Sequence, residues 1–310
     1  MTGNSGWQPR HDDPLFILAM DHRESFGRTL FAVTADAPDP GEVAAMAAAK
    51  QLIFEGLREA LPAVTYGRIG VLVDERYGQS VIDAVTASGQ PLVLAMPVEA
   101  SGHEWFTLEW GDQWLEHVLR VRPDYAKVLV RDNPGFDEQD RERQFGRLAQ
   151  VSAGLRGVGV PLLYELLVPP TDAQLEQAGH DADRYDRDIR PGLVAQVIAD
   201  NQEHGVEPAL WKVEGLETVA AARQVAGQAQ ADGRTTDLIV LGRDAPADRL
   251  DHWLEVASQV EAFVGFAIGR SIWEDALRDY ESSDRGPAAA GRVRAQVAER
   301  YLGFVAHWKH

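Results

Sequence analysis

Eight short apolar runs, each followed by a stretch patterned as a helix, constrain this chain more than any other feature. The runs are residues 15–20 (LFILAM), 69–73 (IGVLV), 92–96 (LVLAM), 126–131 (AKVLVR), 161–168 (PLLYELLV), 209–215 (ALWKVEG), 238–242 (LIVLG) and 263–268 (FVGFAI). Each has the length of a strand and is apolar at consecutive positions, as strands covered on both faces are. The stretches 42–60, 78–88, 113–121, 138–155, 191–204, 218–231, 248–260 and 271–280 read as helices, and a further one is expected over 287–308. Strands alternating with helices build a parallel sheet. Eight such units in 310 residues, with no internal break in composition, fit one (β/α)8 barrel better than an open doubly wound sheet. The expected α/β organisation is a mobile tail over 1–13 and a single TIM-barrel domain over 14–310 with an extra C-terminal helix. The stretch 171–190 is expected to be the longest irregular connection. Its Arg184, Arg187 and Arg190 alternate with Asp181, Asp183, Asp186 and Asp188, which reads as a solvated surface helix.

In such a barrel, chemistry sits at the C-terminal ends of the strands and in the loops that follow. The polar residues expected there are Asp21, Arg23, Asp74, Glu75, Lys127, Arg131, Glu165, Lys212, Glu214, Arg243 and Arg270. Lys212 is singled out by composition. Of the 30 Lys and Arg residues only Lys50, Lys127, Lys212 and Lys309 are lysines, so the chain uses arginine wherever a generic positive charge suffices. Arginine cannot form a Schiff base or give up its proton near neutral pH, whereas lysine can. In a strand of period two, Leu210, Lys212 and Glu214 share one face and Trp211 and Val213 the other. Lys127, Glu165 and Lys212 fall on the fourth, fifth and sixth strands, which are neighbours in simple barrel order, so the three can converge. Burying three ionisable groups costs several kcal/mol per ion, which favours a functional reading over a self-satisfied ion-pair network.

Gly242-Arg243 and Gly269-Arg270 close the seventh and eighth runs. Glycine at a helix N-terminus lets backbone N–H groups approach a phosphoryl group, and the loops after strands seven and eight are the usual phosphate position in this fold. Asp74, Glu75 and Glu214 offer an alternative magnesium site. His22 and His103 are read as solvated or structural, and the scattered histidines hold no metal-binding pair. A net charge of −18 argues against general nucleic-acid binding. The absence of cysteine rules out disulfides, thiolate catalysis and cysteine-based zinc sites. Residues 1–13 lack an apolar signal core and no run is long enough to span a membrane, so a cytoplasmic protein is expected.

Five motifs together resemble a known family. They are Leu18-Ala19-Met20-Asp21-His22-Arg23, Lys127-Val128-Leu129-Val130-Arg131, Glu165-Leu166-Leu167-Val168-Pro169-Pro170, Trp211-Lys212-Val213-Glu214-Gly215, and the nine residues from Gly265 to Trp273. The set resembles the aldolase domain found fused to 5-dehydro-2-deoxygluconokinase. More distantly it is similar to class I tagatose 1,6-bisphosphate and sulfofructose-phosphate aldolases. The resemblance implies a Schiff-base lysine at Lys212, an acid/base at Glu165 for dehydration and carbon–carbon cleavage, a second lysine at Lys127 and a substrate-orienting Asp21. It also implies phosphate contacts at Gly242, Gly269 and Arg270; Arg23, Arg131 and Arg243, read from their places at the strand ends, complete the expected substrate-binding set, and Arg243 departs from the small residue those aldolases tend to have. The implied activity is a metal-free, cofactor-free class I aldolase acting on a phosphorylated keto-sugar or keto-sugar acid, with dihydroxyacetone phosphate as the ketone half. A sugar-phosphate-binding barrel without catalysis and a magnesium-dependent lyase or isomerase are the alternatives. The expected partners are a small phosphorylated sugar and further copies of the chain, with the last helix and Trp308 as a candidate interface.

Overall fold

The computed structural model describes residues 7–33, 38–87, 89, 91–243 and 245–308. Its eight strands are β1 (Leu15–Ala19), β2 (Arg68–Leu72), β3 (Val93–Pro97), β4 (Tyr125–Arg131), β5 (Leu162–Leu167), β6 (Leu210–Glu214), β7 (Asp237–Leu241) and β8 (Phe263–Ile268). They pair in parallel, in chain order, and β8 closes on β1. The strands are continuously apolar because both faces are buried. Leu15, Ile17, Leu72, Ala95, Leu163, Leu210 and Ile239 fill the barrel interior. Phe16, Val128, Tyr164, Leu166, Trp211 and Val213 point outward into the layer beneath the helices.

The helices are α1 (Glu24–Phe31), α2 (Pro40–Ala60), α3 (Glu75–Ala87), α4 (Trp114–Val121), α5 (Glu138–Val158), α6 (Asp172–Gln177), the single turn α7 (Ala182–Arg184), α8 (Arg190–Glu203), α9 (Val219–Ala229), α10 (Ala247–Ala257), α11 (Arg270–Glu281) and α12 (Pro287–His307). Asp39 and Glu42 form a reciprocal capping box that starts α2. Gly159, in the left-handed region, ends α5.

Four expectations are corrected. Residues 24–31 form α1, which the strand–helix pattern did not anticipate. The stretch 171–190 is not irregular: α6, α7 and a π-helical turn (Tyr185–Ile189) lead directly into α8. Within it, Arg184, Arg187 and Asp188 are solvated as expected, but Tyr185, Asp186 and Arg190 are buried. Of the expected tail, residues 1–6 lie outside the described residues, and 7–13 are held under the barrel. Trp7 Nε1 donates to Asp13 at 2.6 Å and its ring lies under the Arg68 guanidinium, while His11 Nδ1 meets the Phe263 carbonyl at 3.1 Å. Trp308 is not available as an interface. It is buried within its own chain, where the Tyr66 hydroxyl reaches the Val305 and Trp308 carbonyls and Tyr301 donates to the Phe16 carbonyl, docking α12 beside β1.

Candidate active site

Strand alternation selects which side chains enter the barrel. Lys127 on β4, Glu165 on β5 and Lys212 on β6 all lie on inward positions, and the β5–β6 register sets Glu165 directly beside Lys212. Lys212 Nζ lies 2.8 Å from Glu165 Oε1, and Lys127 Nζ lies 2.9 Å from Glu165 Oε2. One carboxylate thus bridges two lysines. Lys127 carries two more acidic partners: Asp21 Oδ2 at 2.8 Å and Glu99 Oε1 at 2.9 Å. All five groups are at least nine-tenths buried.

Asp21 arrives there because β1 continues its pairing one residue past its end, where Met20 N–H donates to the Leu72 carbonyl at 2.8 Å. The buried ion pairs decide the protonation states. Burial alone would raise Asp21, but Lys127 foremost, with Lys212, holds it well below the usual carboxylate range. Burial likewise opposes ionisation of Glu165, and Lys127 and Lys212 pull it below its ordinary value. Lys127 is pushed up despite burial, by Asp21, Glu165 and Glu99. His22 behaves oppositely. Burial, aided by Arg270, outweighs Asp21 and lowers it to about 3, so its imidazole is neutral.

Glu99 was not singled out by the sequence. It lies in the loop after β3, where no periodicity marks a buried position. Arg23 holds it: Nη1 donates to the Glu99 carbonyl at 2.7 Å and to Glu109 Oε2 at 3.2 Å, and Nη2 to Glu99 Oε1 at 3.2 Å. The expected substrate contact Arg23 is therefore committed to two glutamates. Lys50 was likewise unmarked. It is fully buried, ion-paired with Asp74, and donates to the His22 carbonyl at 2.9 Å, which ties β2 to the Asp21 loop.

The cleft above this cluster has a volume of about 660 Å³. Its walls include Asp21, His22, Glu99, Lys127, Arg131, Glu165 and Lys212, and on the β7–β8 side Gly242, Arg243, Gly269, Arg270 and Ser271. Gly269 caps α11, its carbonyl accepting from the Ile272 N–H at 2.8 Å. Only glycine fits there, since a Cβ would come within 2.6 Å of the Ala19 carbonyl oxygen. Arg131 is exposed at the rim, 3.5 Å from the His103 carbonyl. Arg243, expected to face substrate, is engaged by acidic groups: Nε meets Glu214 at 2.9 Å and Nη1 meets Asp186 at 2.8 Å. Arg190 braces the same pair from below through Asp186 at 2.9 Å and the Gly215 carbonyl at 2.7 Å. The carboxylates considered for magnesium do not converge. Asp74 pairs with Lys50, Glu75 faces His117 and Arg120, and Glu214 is held by the Val168 N–H and Arg243.

The profile of a family described as an uncharacterized protein conserved in bacteria, DUF2090, matches residues 5–310. The chain belongs to this family. No curated protein matches this DUF2090 member. Among solved structures, its fold is shared with a Corynebacterium glutamicum protein (18% identity, 93% of this chain and 86% of that one covered, TM-score 0.55). It is shared too with a Schiff-base-forming fructose-1,6-bisphosphate aldolase (16% identity, 94% of each chain, TM-score 0.53). An archaeal fructose-1,6-bisphosphate aldolase, described with its catalytic lysine covalently bound to the carbinolamine intermediate, is also similar (15% identity, 93% and 95% covered, TM-score 0.51). At these identities the likeness establishes the closed eight-stranded barrel.

Proposed function

We propose that this DUF2090 protein is a class I aldolase in which Lys212 forms a Schiff base with a ketone substrate. The observation that carries the reading is the bridging of Lys212 and Lys127 by Glu165, at 2.8 and 2.9 Å, on the floor of the cleft. Lys212 Nζ adds to the carbonyl carbon to give a carbinolamine. Glu165, one hydrogen bond from Nζ, moves the protons that let hydroxide leave as water. The resulting iminium is the electron sink for breaking the bond between the α and β carbons. Lys127, held as a cation by its three carboxylates, fixes Glu165 and Asp21 in their ionised forms. Asp21 orients a substrate hydroxyl.

A phosphorylated keto-sugar or keto-sugar acid fits the cleft under this reading. Its phosphate would lie against Gly242, Gly269, the α11 N-terminus and Arg270, leaving the ketone over Lys212. Dihydroxyacetone phosphate is the ketone half, and the chemistry needs no metal or organic cofactor. The occurrence of this fold in Schiff-base aldolases supports the reading. The test is incubation with dihydroxyacetone phosphate and borohydride, followed by peptide mass mapping. A reduced adduct on Lys212, absent from Lys212→Arg, is the expected result. No adduct on Lys212 sinks the proposal.

A further inference from the structure

The four carboxylates around the two site lysines and Arg23 are not equivalent. Glu165 uses one oxygen on each lysine. Asp21 meets Lys127 through Oδ2, and Glu109 is divided between Arg23 and Arg76. Glu99 differs. Its Oε1 receives Lys127 at 2.9 Å and Arg23 at 3.2 Å, and its backbone carbonyl receives Arg23 at 2.7 Å. Its Oε2 is closed to solvent and has no hydrogen-bond partner among the described residues. A buried carboxylate oxygen left without a donor costs on the order of 1–3 kcal/mol or more, so Glu99 keeps an acceptor unspent. Glu99 lines the cleft, and its side chain is only 7% exposed. The two cations on Oε1 and the carbonyl clamp fix its orientation in advance.

Its place in the barrel indicates which donor. The β7–β8 loops lie on the wall beyond β6, and the β3 loop lies on the opposite side, past Lys127 on β4. A substrate whose ketone half lies between the β7–β8 loops and Lys212 extends its other half past Glu165 and Lys127 toward Glu99. We infer that Glu99 is a catalytic residue of the aldol step, its carboxylate accepting the hydrogen of the hydroxyl on the carbon that leaves as the aldehyde. This inference rests on the Schiff-base reading of Lys212. In cleavage the hydroxyl O–H bond breaks toward the Glu99 carboxylate, the carbon–oxygen double bond of the aldehyde forms, and the bond between the α and β carbons breaks. That electron pair enters the iminium and leaves an enamine on Lys212. In condensation Glu99 returns the proton. Burial, against Lys127 and Arg23, raises Glu99 above its ordinary value, which suits a group that must take a proton; Asp21 and Glu165 are shifted the other way.

The experiment separates this inference from the reading beneath it. Dihydroxyacetone phosphate has no hydroxyl on a departing carbon, so its trapping on Lys212 does not need Glu99, whereas its condensation with glycolaldehyde does. In Glu99→Gln, borohydride trapping stays within about twofold of the wild type while condensation falls about a hundredfold or more, the usual contribution of a general acid or base. Glu99→Asp keeps the charge beside Lys127 and Arg23 but withdraws the carboxylate by one methylene, and gives the same split if the amide variant does not fold. Condensation within about threefold of wild type, or trapping and condensation lost in parallel, overturns the role of Glu99. Absence of trapping in the wild type itself overturns the Schiff-base reading instead.

Discussion

Replacing Lys127 by methionine removes the one cation shared by three buried carboxylates, and the structure says how the loss is distributed. Glu165 keeps Lys212 at 2.8 Å and Glu99 keeps Arg23 at 3.2 Å. Asp21 is the group left behind, since Lys127 is the largest of the charges that offset its burial. Breaking a buried pair from one side costs about 3–5 kcal/mol, so the penalty is that of one stranded carboxylate and not of three. For a chain of 310 residues, an unfolding entropy of about 2.1 cal/mol/K per residue turns about 4 kcal/mol into a Tm fall of roughly 6 °C. The pH dependence gives a sharper signature. In the wild type the folded pKa of Asp21 lies below its ordinary 3.8, so its contribution is present above about pH 4 and is lost as pH falls through the folded value. Without Lys127, burial dominates and the folded value rises above the unfolded one. The variant's deficit is then full near pH 7 and shrinks as pH falls toward 4, where Asp21 takes a proton. Thermal or urea unfolding of both proteins from pH 4 to 8 measures this. Adding Asp21→Asn to the variant should restore more than half of the loss. A deficit under about 1 kcal/mol at pH 7, one that grows as pH falls, or no rescue by Asn would refute the reasoning.

Other outcomes follow from single contacts. Gly265 has φ +139° and a Cβ there would lie 1.9 Å from the Leu15 carbonyl oxygen, so Gly265→Ala obstructs the β8–β1 closure; urea unfolding should show a loss of about 3 kcal/mol or more. Arg190 is fully buried against Asp186 and the Gly215 carbonyl. Arg190→Ala should cost about 3–5 kcal/mol in the same assay without selectively raising KM. Arg270→Ala should raise KM for a phosphorylated ketone about tenfold or more while leaving the response to its unphosphorylated counterpart nearly unchanged, read by steady-state kinetics. Because burial holds His22 neutral at about 3, His22→Gln should leave the shape of the pH–rate profile between pH 6 and 8 unaltered.

Several features of the site were legible residue by residue. The apolar runs mark themselves by their unbroken hydrophobicity, and only in the fourth, fifth and sixth do inward charged residues interrupt it. Lys127, Glu165 and Lys212 are visible for that reason, and chain-order pairing then places their strands side by side. Asp21 was legible as the residue that ends the first run. Arg23 and Arg243 were legible as residues of the cleft but not in their partners. An arginine at a strand end can face a ligand or a neighbouring carboxylate, and the choice rests with Glu99, Glu109, Asp186 and Glu214, which come from other parts of the chain.

The eight strand–helix units and the inward lysines follow from the order of residues alone, because a strand covered on both faces must be apolar throughout and any charge left in it stands out. The partners of those charges are set by the folded barrel. Glu99 sits in an irregular loop, and Asp186 and Arg190 sit in a run whose alternating charge resembles a solvated surface, so nothing local separates them from exposed residues. They are buried because barrel closure brings the β3 loop over Lys127 and turns Tyr185, Asp186 and Arg190 inward beneath Arg243. Ion pairing acts across space and carries no sequence period; strand burial does.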